Sequence, residues 1–417
     1  MRKLILKIFP FLVILITIIS IQSYLSINYL NLVAATWIIE FLTVYIIFIY
    51  KKKINNQISH YITRTDLHII TIYFIWVIFN SIRGGFIASN YWEWKQLIMG
   101  VLNLSLPLFL YPFTNAQILN VTLKFWFKYA IIIFIIIIPL LNQGAYHLFW
   151  GPIFLISCFI PILPRKWKFI CTIILVIMLF IDLGARSQVI KSAIILLIAC
   201  GIYLQRFISS NLIRLIHGAC YVIPVILLYL GISGIFNIFK DLSSPHQGKY
   251  IEKKMVNGQL IEDDLSADTR TLIYQEVIES AIKHNYVIWG RTPARGNDTT
   301  LFGDNFENLK MGKNERFMNE ACHINIFTWL GLIGVILYTF FYLRASYLAI
   351  YKSNNIYIKY LGVFIAFRWL YGWIEDVNNF SISGIAIWMI ISIGISNEFR
   401  SMDNKRFKNW ILNCLPY

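Results

Sequence analysis

HGACYVIPVILLYLGISGIFNI, residues 217–238, contains no Asp, Glu, Lys or Arg, and from Phe239 to Cys322 the chain turns polar before His323 opens another apolar stretch. A bilayer core is crossed by about 20 predominantly apolar residues, so residues 217–238 read as a membrane span. The interval after them reads as a large loop. Apolar runs of similar length recur on both sides, near 5–25, 29–50, 67–85, 96–114, 126–141, 147–163, 168–184, 188–205, 323–343, 357–374 and 380–397. With residues 217–238 these make about twelve spans. The fold class that follows is an all-α polytopic membrane protein with one large external loop that contains an amphipathic helix. Its three parts are residues 1–238 with nine spans, the loop at 239–322, and residues 323–417 with three spans and a tail.

Composition agrees with this class. Of 417 residues, 58% are hydrophobic and 14% charged, with a mean hydropathy of +0.63, whereas soluble domains carry about 25% charged residues. The net charge of +16 raises the question of a nucleic-acid partner. Its location answers it: residues 239–322 hold 11 Lys and Arg against 13 Asp and Glu, a net of 11 − 13 = −2, so the rest of the chain carries +18. That excess sits in short connections between spans, which makes it orientation information, and no nucleic-acid partner is expected. Lys51-Lys52-Lys53, Lys124, Arg165, Arg206, Arg214, Arg344, Lys352 and Arg400 fall on one side. An inner-membrane protein with both termini cytoplasmic and the large loop outside is the expectation. Arg2, Lys3 and Lys7 precede a first apolar run with no small-residue cleavage site after it, so that run reads as a retained span. The six cysteines show no metal-type spacing and read as small core residues.

Within the loop, Asp268 is a candidate helix N-cap, and Leu272, Ile273, Val277, Ile278, Ala281 and Ile282 recur at helical spacing behind it. Such a helix either lies on the membrane face or packs on its own loop. Residues 296 to 319, rich in Gly, Asn and Asp, read as irregular and mobile.

Three groups of residues could carry chemistry. Arg186, in Asp182-Leu183-Gly184-Ala185-Arg186-Ser187, lies between two spans on the side where positive charge is disfavoured, and a planar guanidinium there suits a phosphate or diphosphate. A snorkelling interfacial arginine is the plainer alternative. Arg270, Arg291 and Arg295 form the second group, with Gly290 and Gly296 flanking a turn whose backbone N–H groups could face an anion. Solvated surface arginines are the ordinary case. His323, preceded by Glu320 and followed by Asn325, stands where a base beside the membrane would stand, although an interfacial histidine is commonly structural. Glu40 in the second span, and Arg368 with Glu375 and Asp376 beyond the eleventh, read as structural pairing or solvation, with a proton relay as the functional alternative.

In order and placement these pieces resemble the O-antigen polymerase and O-antigen ligase family of polytopic membrane glycosyltransferases. The resemblance covers roughly Leu183 to Leu343. It rests on the Ala185-Arg186-Ser187 turn between two spans, and on a large loop in which Thr269-Arg270-Thr271-Leu272-Ile273-Tyr274 starts a helix and Ile288-Trp289-Gly290-Arg291 makes a glycine turn. The loop closes with His323-Ile324-Asn325-Ile326-Phe327 and continues as Leu330-Gly331-Leu332-Ile333-Gly334. The chain has Ala185 where the family often has Ser, and Ile324 separates a His-Asn pair that is usually adjacent.

The resemblance implies transfer of a glycan from an undecaprenyl-diphosphate-linked oligosaccharide to a sugar hydroxyl on the outer face of the cytoplasmic membrane, with no cofactor and no obligatory metal. Arg186, Arg270 and Arg291 would hold the donor diphosphate, and His323 with Glu320 in reserve would serve as base. Membrane lipid and other polysaccharide-assembly proteins are the expected partners. Polymerisation of repeat units into a surface polysaccharide (O-antigen, capsule or exopolysaccharide) is the leading expectation. A ligase acting on a lipid or protein acceptor, a flippase for the lipid-linked unit, and a non-catalytic scaffold are the alternatives.

Overall fold

The computed structural model describes residues 2–22, 33–54, 57–141, 150–180, 186–237, 251–256, 259–264, 270–299 and 314–416. Helices dominate them: α1 (Arg2–Gln22), α2 (Val33–Ile54), α3 (Arg64–Ile87), α4 (Tyr91–Leu104), α5 (Ala116–Ile137), α6 (Trp150–Ser157), α7 (Arg165–Phe180), α8 (Arg186–Tyr203), α9 (Ser210–Ile232), α10 (Arg270–Lys283), α11 (Cys322–Tyr351), α12 (Ile356–Tyr371), α13 (Ile382–Ile395) and α14 (Asn404–Asn413). A helix lies in each of the twelve apolar stretches. By length and composition, six helical segments are long and apolar enough to cross a membrane: Ala34–Ile54, Arg64–Ile87, Tyr91–Phe113, Ala116–Ile137, Ser210–Ile232 and Cys322–Tyr351. Leu6–Ile21, Ser187–Tyr203 and Ile382–Ile395 are shorter apolar helices.

The helices start where side chains meet the free N–H groups of a first turn. Thr63 accepts from the Asp66 N–H, Asn90 from those of Trp92 and Glu93, and Ser209, Asn355 and Ser381 do the same for α9, α12 and α13. Two stripes on α3 show how the bundle meets its surroundings. Ile70, Tyr73, Val77, Asn80 and Gly84 are buried, while Ile72, Ile75, Ile78, Ile82 and Phe86 stand outward and exposed. A wholly apolar outward stripe is the surface that a lipid solvent calls for, and α9 has another in Val222, Val225, Ile226 and Tyr229. Small residues let helices approach inside: a Cβ on Gly362 of α12 would lie 2.9 Å from the Ala349 Cβ of α11.

Contacts between the connections sort the bundle into two ends. At one end the Asn115 amide donates to the Tyr61 hydroxyl, Glu398 accepts from the Ala116 N–H, and Trp410 donates to the Ala116 carbonyl. Arg344 pairs with Asp66 there at 2.6 Å, and the Asn354 N–H meets the Arg400 carbonyl. The connections rich in Lys and Arg therefore meet one another. At the opposite end the polar interval packs over α3, α4, α9 and α12, through Arg83 to the Trp289 and Gly290 carbonyls and Thr271 to Asn237. α14 lies at the first end, its N-terminus capped by Asp403.

Within this nearly all-helical protein the polar interval carries two short antiparallel strand pairs that the sequence reading did not include. β1 (Ile251–Val256) pairs antiparallel with β2 (Gln259–Asp264), from Ile251 opposite Asp264 to Val256 opposite Gln259. β3 (Asn297–Asp298) pairs with β4 (Glu315–Arg316), so both ends of the segment expected to be irregular are tied together. The expected cap Asp268 lies outside the described residues. Of the cysteines, Cys158, Cys171, Cys220, Cys322 and Cys414 are buried as expected, and Cys200 is exposed.

Candidate functional site

α11 is not one rod. Gly331 has φ 69° and ψ −170°, a conformation open in practice only to glycine, and it divides the helix into residues 322–330 and 332–351. The rings of His323 and Tyr338 are 6.4 Å apart, whereas fifteen residues of continuous helix rise about 22 Å. The short arm therefore folds back along the long one. The long arm alone, at about 30 Å, matches a hydrocarbon core, so the crossing starts nearer Leu332 than the His323 expected from sequence.

A broken helix leaves backbone groups without partners. Residues 287–292 of the polar interval supply them. The Arg291 N–H donates to the Thr328 carbonyl at 2.7 Å, the Thr292 N–H to Trp329, and the Leu332 N–H to the Val287 carbonyl at 2.8 Å. The Trp76 indole of α3 caps the Leu330 carbonyl at 2.9 Å. Gly290, φ 74°, faces Gly331 so closely that a Cβ on Gly290 would come within 2.5 Å of the Gly331 nitrogen. The basic turn noted in the sequence is thus a strap bound to the break.

Arg291 belongs to this strap. It is mostly buried, donates to the Gly296 carbonyl and the Asp298 carboxylate, and pairs with Glu315 at 3.1 Å. Arg295 forks onto Glu315 and lies 4.0 Å from Glu93 of α4. Burial would push the Asp298 carboxyl up, but hydrogen bonds from Lys283, His284 and Arg291 hold it well below the usual range. The described contacts of Arg291 fasten the turn.

His323, Arg270 and the start of α8 converge instead on one segment, residues 368–376, at the end of α12. His323 is buried between Trp369 and Trp373, with ring centroids 5.3 and 4.7 Å away. Its Nε2 is 2.8 Å from the Trp369 carbonyl. A carbonyl only accepts, so Nε2 carries the hydrogen and Nδ1 keeps a lone pair, which has no partner among the described residues. The His323 N–H donates to the Gly372 carbonyl and that of Cys322 to the Glu375 carbonyl. Arg270, the first residue of α10, donates from Nε to the Ile374 carbonyl at 3.1 Å and lies 3.6 Å from Glu320, and Tyr274 one turn on donates to the Trp373 carbonyl. Glu320, half exposed, is also 3.7 Å from Arg316.

Arg186 is the first residue of α8, and its side chain lies outside the described residues. The residue after it, Ser187, donates to Glu375 at 2.9 Å, and Lys191 reaches the same carboxylate oxygen at 2.6 Å. Arg368 donates to the other oxygen at 3.2 Å. Burial opposes ionisation of Glu375, but the Lys191 and Arg368 charges overcome it and hold the carboxyl down at about 2. Next to it the Asp376 carboxyl is pushed up to about 6, chiefly by burial.

An apolar cavity of about 470 Å³ opens beside this segment, lined by Ile223, Leu227 and Ile232 of α9, Tyr274 and Ile278 of α10, and Trp373. Of the residues singled out in the sequence, His323, Glu320 and Arg270 lie together here, and Arg368 and Glu375, read as structural pairing or solvation with a proton relay as the alternative, lie beside them. Trp369, Trp373, Tyr274 and Lys191 were not among the candidates. The available signals were a lysine set among apolar residues and two tryptophans one helical turn apart. No family model, curated protein or solved structure matches this chain.

Proposed function

We propose that the chain is a membrane glycosyltransferase that polymerises undecaprenyl-diphosphate-linked repeat units into a surface polysaccharide at the outer face of the cytoplasmic membrane. The observation that carries this reading is the convergence of Arg270, His323 and the α8 turn of Arg186 and Ser187 on residues 368–376, beside an apolar cavity between helices. The wall of the cavity is apolar, and Arg270 is bonded to the carbonyl of its lining residue Ile374, an arrangement that fits a prenyl tail joined to a diphosphate.

In the reaction, the acceptor hydroxyl attacks the anomeric carbon of the donor sugar, and the bond from that carbon to the diphosphate oxygen breaks. The proton of the hydroxyl passes to His323 Nδ1, the lone pair left free by the Trp369 hydrogen bond, with Glu320 as the reserve base. Arg186 and Arg270 take up the negative charge that grows on the leaving prenyl diphosphate. Arg291 assists from a distance by holding the strap that sets the short arm of α11.

In a strain lacking the chromosomal gene, Arg270→Ala and His323→Ala should insert at wild-type levels yet yield only single repeat units. Full-length polymer from both would reject the assignment. A ligase uses the same chemistry on a lipid or protein acceptor, and its loss leaves long polymer on the carrier. The broken α11 and the buried Lys191 and Arg368 on their shared Glu375 also suit a flippase. Vesicles containing the purified protein distinguish it, since a flippase moves lipid-linked units across the bilayer without lengthening them.

A further inference from the structure

The buried face of α8, a helix packed against α12 among others, holds Gln188, Lys191 and Ser192 at neighbouring positions. Lys191 and Arg368 sit on the two oxygens of a single carboxylate, Glu375, and among the described residues neither forms another ion pair. Arg368 is 5% exposed, and its Nε and Nη1 have no hydrogen-bond partner among the described residues; nor do the Ser192 hydroxyl and the Gln188 carbonyl oxygen. Two cations sharing one anion, with unpartnered donors in a low-dielectric interior, form an arrangement that a purely structural ion pair would not need. The N-terminus of α8, one turn away, adds a partial positive charge.

We infer that Arg368 and Lys191, with the Ser192 hydroxyl, form the inner half of a diphosphate-binding site, engaging the anion from the bundle side while Glu375 holds both cations in place. This rests on the lipid-diphosphate donor reading and adds a ligand-binding set drawn from α8 and α12. Arg368 is anchored to Glu375 through Nη2, which leaves Nε and Nη1 as charged donors for anion oxygens. The diphosphate could belong to a prenyl lipid or be free in solution.

The test uses the full-length protein in detergent, with farnesyl diphosphate and inorganic diphosphate as probes in thermal-shift and direct binding measurements. Farnesyl diphosphate should stabilise the wild-type protein, and Arg368→Met and Lys191→Met should each weaken its binding at least tenfold. Without ligand, Arg368→Met should be at least as heat-stable as wild type, because it leaves one cation on one carboxylate. A destabilised Arg368→Met that binds with wild-type affinity would overturn the proposal in favour of a structural pair. Should Arg368→Met fail to fold, Arg368→Lys keeps the charge and loses the guanidinium donors, and undiminished affinity in that variant and in Lys191→Met also overturns it. Inorganic diphosphate binding as tightly as the prenyl compound, with the same losses, would assign the site to a free anion; binding of the prenyl compound alone would assign it to a headgroup. If neither compound binds the wild-type protein, the inference and the donor reading fail together. If farnesyl diphosphate binds wild type and every variant alike, only the Arg368 and Lys191 assignment fails.

Discussion

At the scale of single residues, the site is defined by which groups are already committed. His323 Nε2 is held by the Trp369 carbonyl, so Nδ1 alone can work, and Asn at 323 would lack the ring that fills the space between Trp369 and Trp373. Glu375→Gln should destabilise the protein by about 3–5 kcal/mol, the usual result of leaving buried cations without their partner. Thermal unfolding of the purified protein measures it. The two neighbouring carboxylates also predict opposite pH dependences. Glu375 is lowered to about 2 in the fold, so its contribution to stability is complete above its ordinary value of 4.5 and is lost as pH falls toward 2. Asp376 is raised to about 6, so its contribution is complete below 3.8 and is lost as pH rises through 6. Asp376→Asn should therefore flatten the melting temperature between about pH 4 and 7, and an unchanged profile would contradict the assignment.

At the scale of elements, the break in α11 is the feature that composition conceals. Residues 322–351 are apolar almost throughout, and hydropathy cannot distinguish one long helix from a short arm folded back on a longer one. Gly331 was visible, yet a lone glycine in a helical pattern is usually tolerated without a bend. The partner that makes it a break, the strap at residues 287–292, lies in a polar interval where periodicity carries no signal. The β1–β2 pair went unread in the sequence, although Asn257-Gly258 between its strands is a strong turn signal. Gly331→Ala should cost roughly 3 kcal/mol or more, from the forbidden backbone angle and the clash with the Ile288 carbonyl. Gly290→Ala should behave alike, and because both act on one contact the double variant should cost much less than the sum. Loss of monodisperse protein on size exclusion, followed by melting of whatever remains, reads this out.

At the scale of the whole molecule, the sequence carried most of the architecture, because a lipid solvent writes its demands as long apolar runs and a helix lies in each of the twelve. It carried the site less well. The cations and carboxylates of the site come from α8, α10, α11 and the end of α12, and no spacing along the chain reveals that they meet. If the basic end faces the cytoplasm, a cysteine at Glu320 in a background free of the exposed Cys200 should react with a membrane-impermeant maleimide in intact cells. A cysteine at Ser209, before α9, should react only after lysis, and the reverse pattern would invert the orientation.

The strap has a consequence for the order in which this protein is made. Its residues leave the ribosome before the helix they fasten, while Trp76, which caps the same break, has long been in the bilayer. Until α11 is made, the Arg291 and Thr292 N–H groups lack their partners on its short arm and the Val287 carbonyl lacks its partner on the long one. A straight Cys322–Tyr351 helix, about 45 Å long, would overshoot the bilayer. Translation thus delivers the clasp before the part to be clasped, and the carbonyls of Gly372 and Glu375 that receive the start of the short arm come later still, so the broken form of α11 is completed only once α12 has been made.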